Sequence, residues 1–156
     1  MTDLTPTCAK CPYPWKERLC RIEDGKGLAS CPTETKKELL EKSMQKYEDP
    51  QELRFARNAS IQDAECYERR EGGGVRPLKP RILEIAEFAE KMGYQRLGLI
   101  FCVGLASEAK AVDKFYSKKG FEMVSVACKA GRTPKEAIGL SEEQKIMPNT
   151  AEPMCN

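Results

Sequence analysis

The first 33 residues carry four cysteines, four prolines and two glycines among few aliphatic side chains, a composition that cannot bury a hydrophobic core. Something other than apolar packing has to hold that segment. Cys8, Cys11, Cys20 and Cys31 read C-x2-C-x8-C-x10-C. A C-x2-C pair lets two thiolates chelate one ion from a single turn, and Pro6, Pro12 and Pro14 restrict the loop before the ion arrives. Four thiolates complete a tetrahedron around zinc or hold an iron–sulfur cluster, and the binding energy then acts as folding energy. Cys11-Pro12 and Cys31-Pro32 place proline after cysteine, as ferredoxin cluster loops do, although the x8 and x10 spacings match no standard rule. Merely reduced thiols are one alternative. A thioredoxin-type dithiol at Cys8 and Cys11 is another, but it requires a preceding strand, and seven residues leave no room for one.

The chain of 156 residues has eight cysteines, the other four being Cys66, Cys102, Cys128 and Cys155, and no histidine. The missing histidine excludes Ser-His-Asp and Cys-His catalysis, HExxH zinc sites and Cys2His2 fingers together. No catalytic constellation is legible in what remains. Met1-Thr2-Asp3-Leu4 lacks the basic and apolar regions of a signal peptide, and the longest apolar run, Leu97 to Ala106, is too short to span a bilayer. The protein is therefore expected in the cytoplasm with no membrane partner, where clustered thiols bind metal or do redox work more often than they form the four disulfides of a secreted chain. Twenty-six basic residues are interleaved with 24 acidic ones, which predicts a solvated surface and no nucleic-acid face.

After Cys31-Pro32 the pattern becomes that of an α/β domain, so residues 1–33 read as a cysteine-rich metal-binding segment and 34–156 as the domain proper, the two forming one continuous domain if they pack together. Thr35 and Glu38 suggest a capping box for a helix to about Tyr47. Pro50 opens a second helix expected to end at Gly72-Gly73-Gly74, and a third runs from about Lys79 to Met92 with Gly93 at its end. Arg96–Cys102, a helix bearing Leu105, Ala109, Val112 and Tyr116, and Phe121–Cys128 give strand, helix, strand. That order implies a right-handed crossover and parallel pairing, and the apolar runs imply burial on both faces. Thr133-Pro134-Lys135-Glu136 and Ser141-Glu142-Glu143-Gln144 each look like a short helix start. The fold class is α/β, a small parallel sheet flanked by helices, with an N-terminal cysteine-rich metal-knuckle segment.

Cys102 and Cys128 close the two strands, at the sheet edge where open α/β sheets place their ligands. If the strands are neighbours, about 4.8 Å apart, both sulfurs can share one ion. Cys102 is followed by Val103-Gly104-Leu105 and a helix start, surroundings that suit an anionic sulfur. Cys66 aligns on its helix with Phe55 and Ala59, apart from the stripe of Leu53, Ala56, Ala64 and Tyr67. With Cys155 these thiols form a candidate second site of Cys66, Cys102, Cys128 and Cys155. The competing reading is that Cys66, Cys102 and Cys128 are small buried hydrophobes. Glu65, Glu68, Arg69, Arg70 and Glu71 read as a solvated charged end, and the glycine run lacks the lysine and hydroxyl of a phosphate loop.

The segments Leu99-Ile100-Phe101-Cys102-Val103-Gly104-Leu105, Val124-Ser125-Val126-Ala127-Cys128-Lys129 and Pro153-Met154-Cys155-Asn156, with Cys8-x2-Cys11 and Cys31-Pro32-Thr33, resemble a family of uncharacterised cysteine-rich prokaryotic proteins, DUF1847. The likeness runs along essentially the whole chain. It implies metal binding, an inference the family itself owes to its cysteines, and supplies no activity. The resemblance also implies a longer protein, continuing past Asn156 through a helix and a strand ending in a Gly-Leu-Cys-Val-Gly-His-Asp type motif. Without that strand's cysteine and histidine the second site is expected to be incomplete.

The function that follows is metal binding through thiolates, with zinc or an iron–sulfur cluster as cofactor, a metal ion as partner and room for a protein partner. An iron–sulfur redox enzyme component or electron carrier is the alternative. A zinc knuckle reading RNA is weaker, because basic and aromatic residues are not interleaved around the first cysteines.

Overall fold

Residues 4–155 are described in the computed structural model of the protein, as two units, one ending at Arg57 and the other beginning at Asn58. In the first unit, short 3-10 turns at Cys8–Lys10 and Trp15–Glu17 precede helices α1 (Pro32–Thr35) and α2 (Lys37–Gln45), and helix α3 (Pro50–Glu65) starts here and crosses the boundary. Proline opens both α1 and α3, where its missing N–H costs nothing. Asp49 caps α3, its carboxylate accepting the Gln51 amide at 2.7 Å and the Glu52 amide at 3.3 Å. Thr35 does not cap a helix as expected from the box with Glu38. The helix starts three residues earlier, at Pro32, so Thr35 ends α1 and its hydroxyl donates back to the Cys31 carbonyl at 3.1 Å. Leu39, Leu40 and Met44 lie exposed on α2, and no described residue of this unit is buried.

The second unit has the expected α/β core. Strands β3 (Arg96–Phe101) and β4 (Glu122–Ala127) pair in parallel, Arg96 opposite Glu122 through Phe101 opposite Ala127, joined by helix α5 (Ala106–Lys118). Helix α4 (Arg81–Met92) precedes β3 and ends on Gly93 at φ 75°, a left-handed cap that glycine adopts without a Cβ penalty. Ala86 and Ala89 of α4, Tyr116 of α5 and Phe121 form the buried cluster, with Ile82, Leu97, Val112, Phe115 and Met123 packed against it. Tyr116 meets Phe115 and Phe121 edge to face at centroid distances of 5.3 and 6.3 Å.

Two expectations are corrected here. The sheet is covered on one face only: Ile100 is 78% exposed, and Val124, Val126 and Gly98 are exposed too. Both α4 and α5 pack on the side that carries Leu97 and Met123, so the outward residues of the apolar runs meet solvent. Helix α3 also stops at Glu65, well before the glycine run. Strand β1 (Tyr67–Arg69) pairs antiparallel with β2 (Val75–Pro77), and Gly72, Gly73 and Gly74 form the connection at φ 88°, 102° and 86°, values that only glycine holds cheaply. The charged residues there are indeed exposed, with Glu68 paired to Arg76 across the hairpin.

Gln62 is the buried residue of α3, and the buried Cys66 follows just past the helix end instead of on the helix, while Leu53 and Tyr67 of the expected stripe are exposed. In the tail, Ser141–Gln144 does form a capping box on a 3-10 turn, and Lys135–Ile138 forms another turn. Among the described residues no helix is long and apolar enough to cross a membrane.

Candidate metal centre and thiol edge

Cys8, Cys11, Cys20 and Cys31 all line one pocket of the first unit, which encloses about 60 Å³. Local hydrogen bonds place them. The Cys11 amide donates to the Cys8 carbonyl at 3.1 Å, so the C-x2-C pair sits on one tight turn. The Leu19 amide donates to the Lys26 carbonyl at 3.0 Å and the Lys26 amide to the Glu17 carbonyl at 2.7 Å, closing the loop that carries Cys20. Cys31 precedes α1, its amide bonded to the Leu28 carbonyl at 2.8 Å, and a Thr7–Ser30 hydroxyl contact of 3.1 Å ties the Cys8 loop to the Cys31 loop.

Two glycines let this loop pack closely, and Gly27 lines the pocket itself. A Cβ at Gly25 would stand 2.5 Å from the Arg18 and Leu19 backbone, and one at Gly27 would stand 3.1 Å from the Cys31 Cβ and 3.3 Å from its sulfur. Cys8 and Cys20 are exposed, Cys11 and Cys31 half-buried, and none of the eight cysteines is in a disulfide. Among the described residues no group of three or more Cys, Asp or Glu side chains is arranged to hold a metal ion as it stands. The donor set has the chemistry that zinc or an iron–sulfur cluster takes, since four free cysteines line one small pocket and Gly27 adds no Cβ beside Cys31.

The other four cysteines are placed differently from one another. Cys66 is 1% exposed, and its sulfur accepts the Gln62 amide at 3.4 Å. Burial pushes this thiol up, and a hydrogen bond with Glu84 adds to the effect against the opposing pull of Gln62. Gln62 is itself held by Glu87 at 2.7 Å and by Lys91 at 2.6 Å. Glu87 also pairs with Lys79 at 2.7 Å, and its carboxyl is held below the usual carboxylate range chiefly by that bond. Cys66 therefore belongs to a polar network between α3 and α4. Periodicity missed it because its members are Gln, Glu and Lys.

Cys102 and Cys128 each follow the last register pair of the parallel sheet, and the Cys128 amide donates to the Phe101 carbonyl at 2.8 Å, so the two lie side by side at the carboxyl edge. Cys102 is exposed and Cys128 half-buried. Cys155 is exposed on a tail drawn toward the loop after β4: the Met154 amide donates to the Thr133 carbonyl at 2.8 Å, and the Lys129 ammonium donates to the Pro153 carbonyl.

The fold and its thiols define a small cysteine-rich α/β protein with a coreless N-terminal knuckle. The chain belongs to the family described as protein of unknown function (DUF1847), which it matches over residues 31–156. Cys8, Cys11 and Cys20 precede that match, which is narrower than the whole-chain likeness expected from the motifs. The uncharacterized protein MJ0455 of Methanocaldococcus jannaschii is 33% identical over 121 residues, 78% of this chain. The chain spans about half the length of that relative, the match covering 56% of it. No solved structure matches the chain.

Proposed function

We infer that the protein binds a metal through the thiolates of Cys8, Cys11, Cys20 and Cys31, as a zinc ion or an iron–sulfur cluster, in the reducing cytoplasm. One observation carries the reading: in a unit with no buried residue among those described, all four cysteines line one pocket. A bound ion supplies the core that apolar side chains do not. Binding draws the exposed Cys8 and Cys20 inward on their short loops, while Arg18 and Lys26 on the pocket wall offset the charge of four thiolates. With every position taken by sulfur, a zinc centre here is structural and activates no water. The prolines after Cys11 and Cys31 favour an iron–sulfur centre as the second reading, which makes the protein an electron carrier or a redox-enzyme component.

Anaerobic purification followed by metal and sulfide analysis tests this. About one zinc per chain, or iron with matching sulfide and a visible band bleached by dithionite, is expected, with loss of the bound metal in the Cys8→Ser, Cys11→Ser double variant. Neither metal in freshly purified protein, or the same metal content in the double variant, would overturn the assignment.

A further inference from the structure

The pair at the sheet edge suits a different chemistry. Parallel neighbours in register lie about 4.8 Å apart at Cα, inside the roughly 4.4–6.8 Å that a disulfide spans. Cys102 keeps extended backbone, φ −70° and ψ 137°, one step beyond Phe101, and Cys128 stands one step beyond Ala127, the residue paired with Phe101. Cys128 opens the turn after β4 with its amide still joined to the Phe101 carbonyl at 2.8 Å, so the ladder carries both cysteines one step past the last pair at the same sheet edge. One thiol is exposed and the other half-buried, the combination of an attacking and a resolving cysteine. The built Cβ of Gly104 would lie 3.9 Å from the Cys102 sulfur, so the bare glycine leaves open one side from which a reagent can approach.

We propose that Cys102 and Cys128 are a reversible dithiol–disulfide couple that exchanges with low-molecular-weight disulfides. The Cys102 thiolate attacks one sulfur of R–S–S–R, the reagent's S–S bond breaks, and R–S⁻ leaves with the electron pair and takes up a proton. The Cys128 thiolate then attacks the Cys102 sulfur of the mixed disulfide and expels the second R–S⁻, which is protonated in turn. Two cysteine thiols are oxidised, one small disulfide is reduced to two thiols, and both protons end on the released thiols. A bridge at this edge stays exposed on one side, as labile, regulatory disulfides are.

The full chain equilibrated in oxidised and reduced glutathione, quenched with acid, alkylated and digested with trypsin reports the outcome by mass. Cys102, Cys128, Cys66 and Cys155 fall in four different tryptic peptides. A peptide 97–110 joined to 120–129, two hydrogens lighter than the sum and restored by reduced glutathione, is expected. Cys128→Ser should lose the joined peptide and accumulate glutathione on Cys102. A persistent glutathione adduct on Cys102 of the unaltered chain, or a joint to Cys155 in place of Cys128, would overturn the pair. The joined peptide should also form in the Cys8→Ser, Cys11→Ser background, so that this couple and the metal centre succeed or fail separately.

Discussion

Cys66 and Gly25 show how little a residue's name says before its neighbours are known. Cys66 is sealed under Gln62 and Glu84, and its thiol is pushed up by burial. Alkylation with iodoacetamide under native conditions should therefore label Cys102 and Cys155 quickly and Cys66 last, only as the fold opens, with peptide mass mapping as the readout. Early labelling of Cys66 would contradict its place in the network. The sign of its pH linkage follows from the same cause. A thiol raised in the fold above its ordinary 9.0 stabilises the protein below that value, and the contribution is lost as alkaline pH rises through the folded value. Gly25 is fixed by space: a Cβ would meet backbone at 2.5 Å, and backbone cannot rotate aside. Gly25→Ala should cost the first unit about 1–3 kcal/mol, seen as a lower thermal midpoint and faster metal loss. The helix pattern put Cys66 off the main apolar stripe and could not show that the polar Gln62 is buried beside it. Gly25 and Gly27 look like ordinary turn glycines until the Arg18–Leu19 backbone and Cys31 are folded against them.

Elements were legible where local signals agreed. The stripe Ile82, Ile85, Ala86 and Ala89 with Gly93 behind it located α4, although Ile85 is exposed, and the strand–helix–strand run located the parallel pair. The β1–β2 hairpin was not legible, because Tyr67-Glu68-Arg69-Arg70-Glu71 is as good a helix end as a strand and the pairing to Val75–Pro77 is decided across the turn. Gly73 sits at φ 102° with nothing within 4 Å, so Gly73→Ala should cost the hairpin about 1–2 kcal/mol through backbone strain alone, measurable in local hydrogen exchange. The tail was unreadable for a similar reason. Its order comes from Lys145, whose side chain is 1% exposed and bonds to Glu136, to Glu142 at 2.6 Å and to the Thr150 carbonyl at 3.3 Å. The Lys145 bond holds both carboxyls below the usual 4.5. Their stabilisation is complete above that value and is lost as pH falls through the depressed values, so residues 134–153 should become protease-sensitive at acid pH before the sheet does. Lys145→Met, which keeps the bulk and removes the charge, should leave that segment sensitive at neutral pH as well.

At the scale of the molecule the two units rest on different physics. Residues 58–155 have a buried cluster of Ala86, Ala89, Tyr116 and Phe121 and a hydrogen-bonded sheet, and they persist on apolar burial. Residues 4–57 have turns, short helices and exposed leucines without a buried residue, so the metal proposed for them would supply the ordering that apolar burial does not. The cysteine spacing is what raises that expectation in the sequence, because four thiols in a proline-rich segment with few aliphatic residues offer a metal cross-link where apolar packing is lacking. Spacing could not show where the remaining four thiols lie, since strand register and packing between helices place Cys102 beside Cys128 and bury Cys66. A high-affinity chelator with a mild reductant should therefore expose the backbone amides before Arg57 to rapid exchange and release the first four thiols to a chromogenic thiol reagent. The amides of β3, β4, α4 and α5 should stay protected under the same conditions. Simultaneous loss of protection in both segments would mean that the α/β core also needs the ion, and unchanged protection before Arg57 would mean that the knuckle folds without it.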